Sequence, residues 1–369
     1  MPYSWIDHDL QVLKRAKWLR SVKEIPPHFV NFGSNDYLGL ATDVRLKQAA
    51  IEAVEKYGTG ATGSRLLSGQ RDLHAALETK IAQLKGTEAA LVFSSGYLAN
   101  LGVIPALVGK RDLILADAYN HSCLIQGCRL SGALVLTYDH LDCNHLEHLL
   151  LSNRSSFQRC LIVTNTVFSM EGDIAPLAEI VQLADRFHCM VMVDEAHATG
   201  VFGARGSGVV EVQNITYPLV QAGTLSKAIG SLGGYVAGEA RLMQYLQSRT
   251  STWIYTTALS PADTAAALKG IEIISTEPER RYKLWDNVFY LRKLLGNEQR
   301  YVSPIFPLLV KDIPTALTLS QLCWEEGIYA PAIRPPTVPT PRIRLSLTAK
   351  HSQKDIDRVW QLLHRHLAE

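Results

Sequence analysis

Residues 161–194 read LIVTNTVFSMEGDIAPLAEIVQLADRFHCMVMVD, and this stretch decides the fold. An apolar run, Leu161–Thr164, opens it, and a second, Met190–Val193, lies at its end. Between them Leu177, Ile180, Val181 and Ala184 recur at offsets 0, 3, 4 and 7, one face of a helix over Pro176–Phe187, with Pro176 suited to its first turn. Uninterrupted apolar strands are buried on both faces. Strand, amphipathic helix and strand therefore make the unit of a parallel or mixed sheet covered by helices. The alternation extends both ways: Ala89–Phe93, Leu113–Ala116 and Ala133–Leu136 precede it, and Leu219–Ala222 follows. Upstream, Thr42–Tyr57 predicts a helix with Thr42 as N-cap and Gly58 as stop. Leu73, Leu77, Ile81 and Leu84 predict a second helix, ended by Gly86. After Ser260-Pro261 the pattern changes to two long helices, a strand (Ile305–Val310), a helix (Pro314–Glu326), a proline-rich loop, a strand (Ile343–Leu347) and a helix (Gln353–Leu367). The expected architecture is α/β: an N-terminal arm over 1–40, a large, mostly parallel sheet domain over 41–255, and a smaller C-terminal α+β domain over 256–369.

Composition narrows the function. A chain of 369 residues exceeds the usual span of one core. With 47% apolar and 20% charged residues it is neither disordered nor a disulfide-stapled miniprotein. Basic and acidic residues nearly cancel, 37 against 35, so no electrostatic grip on nucleic acid or on an anionic membrane is expected. No apolar run approaches the ~18–20 residues of a membrane span. The opening MPYSWIDHDLQVLKRAKWLR lacks the apolar core of a secretory signal, so a cytoplasmic location is expected. The six cysteines form no CxxC pair and read as free thiols in a reducing compartment. His140, His145 and His148 fit no standard zinc spacing, so no metal is expected.

Two motifs point to functions that their surroundings exclude. Gly58–Gly63 matches GxGxxG, but it follows a helix and runs on into RLLSGQRD, whereas the dinucleotide fingerprint needs a strand before it and a helix after it. Asp194–His197 spells DEAH, yet no phosphate loop of the form GxxxxGK[ST] precedes it. A GxSxG nucleophile elbow is also missing.

Three segments lie where apolar strands run out into loops, the edge at which doubly wound sheets bind ligands. Phe93–Asn100 (FSSGYLAN) leaves its strand through small residues into a helix start, either an ordinary cap or a cradle for an anion. Asp194 and His197 follow four apolar residues; a carboxylate there is either a structural cap or a group awaiting a charged partner. Lys227, in AGTLSKAIG, is either a solvated side chain or a desolvated amine of lowered pKa. Taken together they offer an amine for a Schiff base, an acid for a pyridinium N–H and a hydroxyl-lined phosphate cup, the set that pyridoxal phosphate requires. His121, in DAYNHSC, would supply a plane to stack on the ring.

SNDYLGL, GTGATGSRLLSG, the Asp194–His197 segment and GTLSKA occur in the order seen in the α-oxoamine synthases, a family of fold-type I pyridoxal phosphate enzymes that this chain resembles from about Asn31 onward. That resemblance implies an acyltransferase that condenses an amino acid with an acyl thioester, on coenzyme A or a carrier protein, and works as a homodimer with shared active sites. It implies Lys227 as the cofactor-linking and catalytic lysine, Asp194 on the ring nitrogen, His197 on the ring hydroxyl and His121 stacked on the ring. Gly96, Tyr97 and Thr224 would contact the phosphate side, Ser169 the cofactor, and Thr256 and Thr257 the phosphate of the partner subunit's site. Asn35 and Arg344, rather than Arg342, would lie near the amino-acid carboxylate, and Arg20 and Thr337 near the acyl substrate. Ser226, just before the lysine, is similar to sphingolipid-type members as much as to others.

Overall fold

A computed structural model of the protein describes residues 2–20, 22–296 and 302–367. Two compact units emerge, and the larger comprises Asn35–Ser169 with Asp173–Leu284. Its centre is a seven-stranded sheet in the order Ala89–Phe93, Gly234–Gly238, Leu219–Thr224, Met190–Asp194, Cys160–Asn165, Leu113–Asp117 and Leu134–Tyr138. Only Gly234–Gly238 runs against the others, antiparallel to both its neighbours. The six apolar runs read from the sequence are the other six strands. The Leu177–Arg186 helix connects the two strands of the 161–194 unit, with Pro176 at its N-cap rather than inside its first turn. Ile114, Leu161, Val163, Met192, Val220 and Val236 bury one face of the sheet in a continuous core. Burying side chains of this size stabilises by about 1.5–3 kcal/mol each, which is why the continuous apolar runs lie at the sheet centre.

Two local expectations are corrected. The first helix spans Val44–Tyr57 and its cap is Asp43, not Thr42. Thr42 ends a short 3-10 turn, Leu40–Thr42, and the Asp43 carboxylate accepts the Arg45 N–H at 2.9 Å. The second concerns the strand Gly234–Gly238, which has no counterpart in the expected element order. Three of the five residues of GYVAG are Gly or Ala, poor strand formers, and the glycines are there for space. A Cβ on Gly234 would sit 2.3 Å from the Gly96 nitrogen, so this strand can lie against the Ser95–Gly96 turn only as glycine.

The smaller unit draws on Met1–Ser34, Met170–Gly172 and Trp285–Glu369. Its three-stranded antiparallel sheet runs Ala332–Ile333, Arg342–Ser346, Ile305–Leu309, with Arg344 opposite Pro307. Val30–Asn31 pairs in parallel with Ile328–Tyr329. Helices Ile313–Glu325 and Gln353–Leu367 complete the α+β pattern. No residue of the Trp5–Arg15 helix is buried. Among the described residues no helix is long and apolar enough to cross a membrane.

Candidate active site

Strand direction gathers the site. Asp194, Asn165 and Thr224 are the last residues of neighbouring strands, so their side chains meet at one edge of the sheet. The Gly96–Leu107 helix begins at the same edge, its first turn closed by Ser95 Oγ accepting from Leu98 N–H at 3.1 Å. Gly96, Tyr97, His121, Ser169, Asp194, His197, Thr224 and Lys227 all line one cavity of about 240 Å3 there. Ser95, Cys123, Asn165, Ala196 and Ser226 complete the lining.

Asp194 is 4% exposed, and a carboxylate so buried needs hydrogen-bond partners. Its Oδ1 accepts from Ala196 N–H at 2.8 Å and its Oδ2 from Asn100 Nδ2 at 2.6 Å. Across the cavity Lys227 Nζ lies 2.8 Å from His197 Nε2, and His197 Nδ1 lies 2.7 Å from the hydroxyl of fully buried Tyr37. The same hydroxyl lies 3.3 Å from Asn35 Oδ1, which ties Asn35 to this chain of groups. His121 is fixed through its backbone: its N–H donates to Asn165 Oδ1 at 2.9 Å. Burial, with a further push from Lys227, drives its imidazole pKa down despite the opposing Asp194 charge. Tyr97 meets its ring edge-on, with centroids 6.3 Å apart.

The residues fit pyridoxal phosphate. Amide groups at the start of a 12-residue helix form an anion site, and Gly96 keeps it open: a Cβ there would press on Thr224 at 3.1 Å. Thr224 Oγ1 and Ser226 Oγ, 2.7 Å apart, add hydroxyls. The Asp194 carboxylate would pair with the ring nitrogen and the Lys227 amine would join the aldehyde carbon.

Other expected residues fall elsewhere. Thr256 and Thr257 do not line this cavity; Thr257 is exposed and bridges to Ser64. In the smaller unit Arg20 donates to Thr337 Oγ1 at 3.0 Å, and both line a cavity of about 270 Å3 with Trp18, Met170 and residues 332–336. Arg344 is buried and donates to Ser346 Oγ at 2.7 Å, whereas Arg342 pairs with Glu171 at 3.0 Å. Sequence reasoning passed over Asn100, Cys123 and Tyr37 as chemistry. Asn100 lies one turn into a helix and Cys123 two residues after His121, spacings that signal proximity only once the strand order is known.

His140, one of the three histidines whose spacing fits no zinc site, is braced on two sides. Its Nδ1 lies 2.9 Å from Asp117 Oδ1 and its Nε2 3.0 Å from Asp173 Oδ2, and it stacks on Tyr119 at 4.3 Å. Burial alone would lower its pKa, but the two carboxylates override that and raise it to about 9. A folded-state pKa above the unfolded value adds stability that is whole below about pH 6.5 and lost as pH rises through about 9. Urea titrations at pH 6 and pH 10 should therefore show a pH-dependent loss on the order of 3 kcal/mol that His140→Gln lacks.

With the geometry in place, comparison with known proteins is direct. The family model for aminotransferase class I and II matches residues 27–363. A Rippkaea orientalis protein provisionally named 8-amino-7-oxononanoate synthase is 52% identical over 379 aligned positions, covering 99% of this chain and all of the relative. A solved structure of SPT with its PLP internal aldimine superposes with a TM-score of 0.91 at 31% identity, covering 99% of this chain and 97% of that one. The 8-amino-7-oxononanoate synthase of Francisella tularensis superposes with a TM-score of 0.80 at 28% identity, covering 93% of this chain and 99% of that one. The chain belongs to the aminotransferase class I and II family, with the fold-type I architecture, and lies on its α-oxoamine synthase branch.

Proposed function

We propose that the protein is an 8-amino-7-oxononanoate synthase, an acyltransferase that condenses L-alanine with pimeloyl-CoA or a pimeloyl-carrier protein. The products are 8-amino-7-oxononanoate, CO2 and free thiol, a step of biotin biosynthesis. It is a pyridoxal-phosphate-dependent transferase. The observation that carries the reading is one cavity holding Lys227, Asp194, His197 and His121 in a chain 52% identical to a relative of that name. The segment AIRPPTVPTPRIRLSLTAKH, residues 332–351, is similar to the same branch.

When bound, pyridoxal phosphate supplies an aldehyde and an electron-withdrawing ring that stabilises negative charge at the amino acid's Cα. Asp194 would hold the ring nitrogen protonated, and its burial would keep that interaction from being screened by water. His197 would hold the ring hydroxyl, His121 would stack on the ring, and Gly96, Tyr97, Thr224 and Ser169 would seat the cofactor. Thr256 and Thr257 serve the phosphate of a second subunit in a homodimer. Lys227 is the base: its Nζ takes the Cα proton of alanine and later returns one, with His197 Nε2 at 2.8 Å to steady the amine. Asn35 and Arg344 orient the alanine carboxylate, and Arg20 and Thr337 contact the acyl substrate. A C–C bond forms between alanine's Cα and the thioester carbonyl carbon, the C–S bond breaks to release thiol, and the carboxylate leaves as CO2. His121 or His197 polarises the acyl carbonyl.

The test is to incubate purified enzyme and pyridoxal phosphate with alanine, glycine or serine and pimeloyl-CoA, and identify products by mass. The expected result is 8-amino-7-oxononanoate from alanine, at a kcat/KM well above that of the other two. Product from glycine or serine instead would reassign the protein to a sibling synthase. Cofactor binding without exchange of the α-proton in heavy water would make it a catalytically silent binding protein.

A further inference from the structure

Cys123 is 2% exposed in the wall of the catalytic cavity, and the mechanism above does not use it. Counting hydrogens settles what it does. The Asn100 amide nitrogen lies 2.6 Å from Asp194 Oδ2 and 3.2 Å from Cys123 Sγ. A carboxylate only accepts, so the nitrogen faces it; turning the amide over would set oxygen against oxygen. One amide hydrogen goes to Asp194 and the other to the sulfur. The sulfur, already accepting, has its own S–H to give, and His121 Nδ1 lies 2.9 Å away. The thiol stays protonated at any working pH, because burial and then the Asp194 charge push its pKa up to about 12. The main-chain N–H of Cys123 points at the same ring nitrogen, at 3.3 Å, and a backbone N–H can only donate. His121 Nδ1 therefore carries no hydrogen, and the single N–H of the neutral imidazole is on Nε2.

We infer that Cys123 is a positioning residue that, with Asn100, locks His121 in the Nε2–H tautomer and links that imidazole to the Asp194 carboxylate. Resting on the condensation proposed above, this makes His121 the hydrogen-bond donor to the acyl carbonyl oxygen and leaves proton removal to Lys227. A donor already aimed where negative charge develops needs no reorganisation during the reaction. The link also couples two walls of the cavity: one amide, Asn100, holds Asp194 directly and His121 through Cys123.

The test uses holoenzyme without substrates, so it does not depend on which acyl group is transferred. Nitrogen-15 NMR of histidine-labelled protein should show His121 protonated at Nε2. The infrared S–H stretch of one cysteine should be displaced by hydrogen bonding and vanish in Cys123→Ser. Cys123→Ala keeps the main-chain donor and loses the S–H, so it should weaken the tautomer preference and raise the His121 pKa, because one of two donors to the neutral ring is gone; the acidic limb of kcat should move to higher pH. The same variant should lose about tenfold in kcat, the scale of one hydrogen bond, with little change in KM for the amino acid. Cys123→Ser, whose hydroxyl can donate in the same place, should restore tautomer, pH limb and most of the rate. Nδ1–H in the wild-type enzyme, or a Cys123→Ala protein with unchanged His121 pKa and pH limb, would overturn the inference. The expected spectra in an enzyme that makes no 8-amino-7-oxononanoate would keep the tautomer lock and remove the acyl-carbonyl role.

Discussion

Lys227→Ala should abolish condensation, with kcat falling by about 10^4-fold or more, the upper end of what a positioned acid–base group contributes. Two functions are lost at once: the amine that joins the cofactor and the base that takes the α-proton. The cup made by Gly96, Thr224 and the helix start does not depend on this side chain, and neither does the pair of hydrogen bonds on Asp194. The variant should therefore still bind pyridoxal phosphate, reversibly, and release it on dialysis, while the wild type retains it. Stopped assays with mass detection and cofactor retention after dialysis separate these outcomes. A variant that turns over within tenfold of wild type would place the base elsewhere.

Lys85→Met should destabilise the fold by about 3–5 kcal/mol, the cost of leaving one member of a buried ion pair alone. Both side chains are fully buried: Lys85 Nζ bonds Glu195 Oε2 and the Ser207 carbonyl. Burial alone would depress the lysine's pKa, and the Glu195 charge reverses that, so the pair is charged in the fold. Glu195 Oε1 meanwhile accepts from Val209 and Val210 N–H, at 2.8 and 3.2 Å, capping a short helix. Without Lys85 the carboxylate keeps those amides and loses its counter-charge. The double variant Lys85→Met/Glu195→Gln should recover part of the loss, because no uncompensated charge remains. Urea unfolding followed by circular dichroism measures both; a single-variant loss under 1 kcal/mol would show that water reaches the pair.

Glu195 follows Asp194 directly, so the DEAH stretch is built from opposing demands. Asp194 turns toward the cavity and is held by Asn100 and Ala196, while Glu195 turns away and anchors the strand end to the end of the Asp72–Lys85 helix. Its four letters suggested a nucleotide site, but here alternate residues face opposite sides of a strand end, as the period of a strand dictates.

Six of the seven central strands were readable as apolar runs: five are buried along nearly their whole length, and the edge strand Leu134–Tyr138, partly exposed, still opens on Leu134, Val135 and Leu136. Gly234–Gly238 escaped because close approach to the Gly96 turn selects glycine, the residue that least resembles a strand. The Asp43 cap escaped because adjacent Thr42 is also a good cap, and only the 3-10 turn before it decides between them. The cavity wall divides in the same way. Residues at strand ends, such as Asp194 and Thr224, follow from position in an apolar run. Tyr37, Asn100 and Cys123 act through partners 94 to 160 residues away or through a local turn, distances that no local pattern encodes.

The account turns on the Lys227 amine and the Asp194 carboxylate gripping one cofactor from two sides of the same cavity. Reducing the pyridoxal-phosphate-loaded protein with sodium borohydride makes any amine linkage permanent, and peptide mapping by mass then locates it. The predicted result is a single pyridoxyl modification on the peptide containing Lys227, at one equivalent per chain. Modification at another lysine, or none in a protein saturated with the cofactor, would contradict the account.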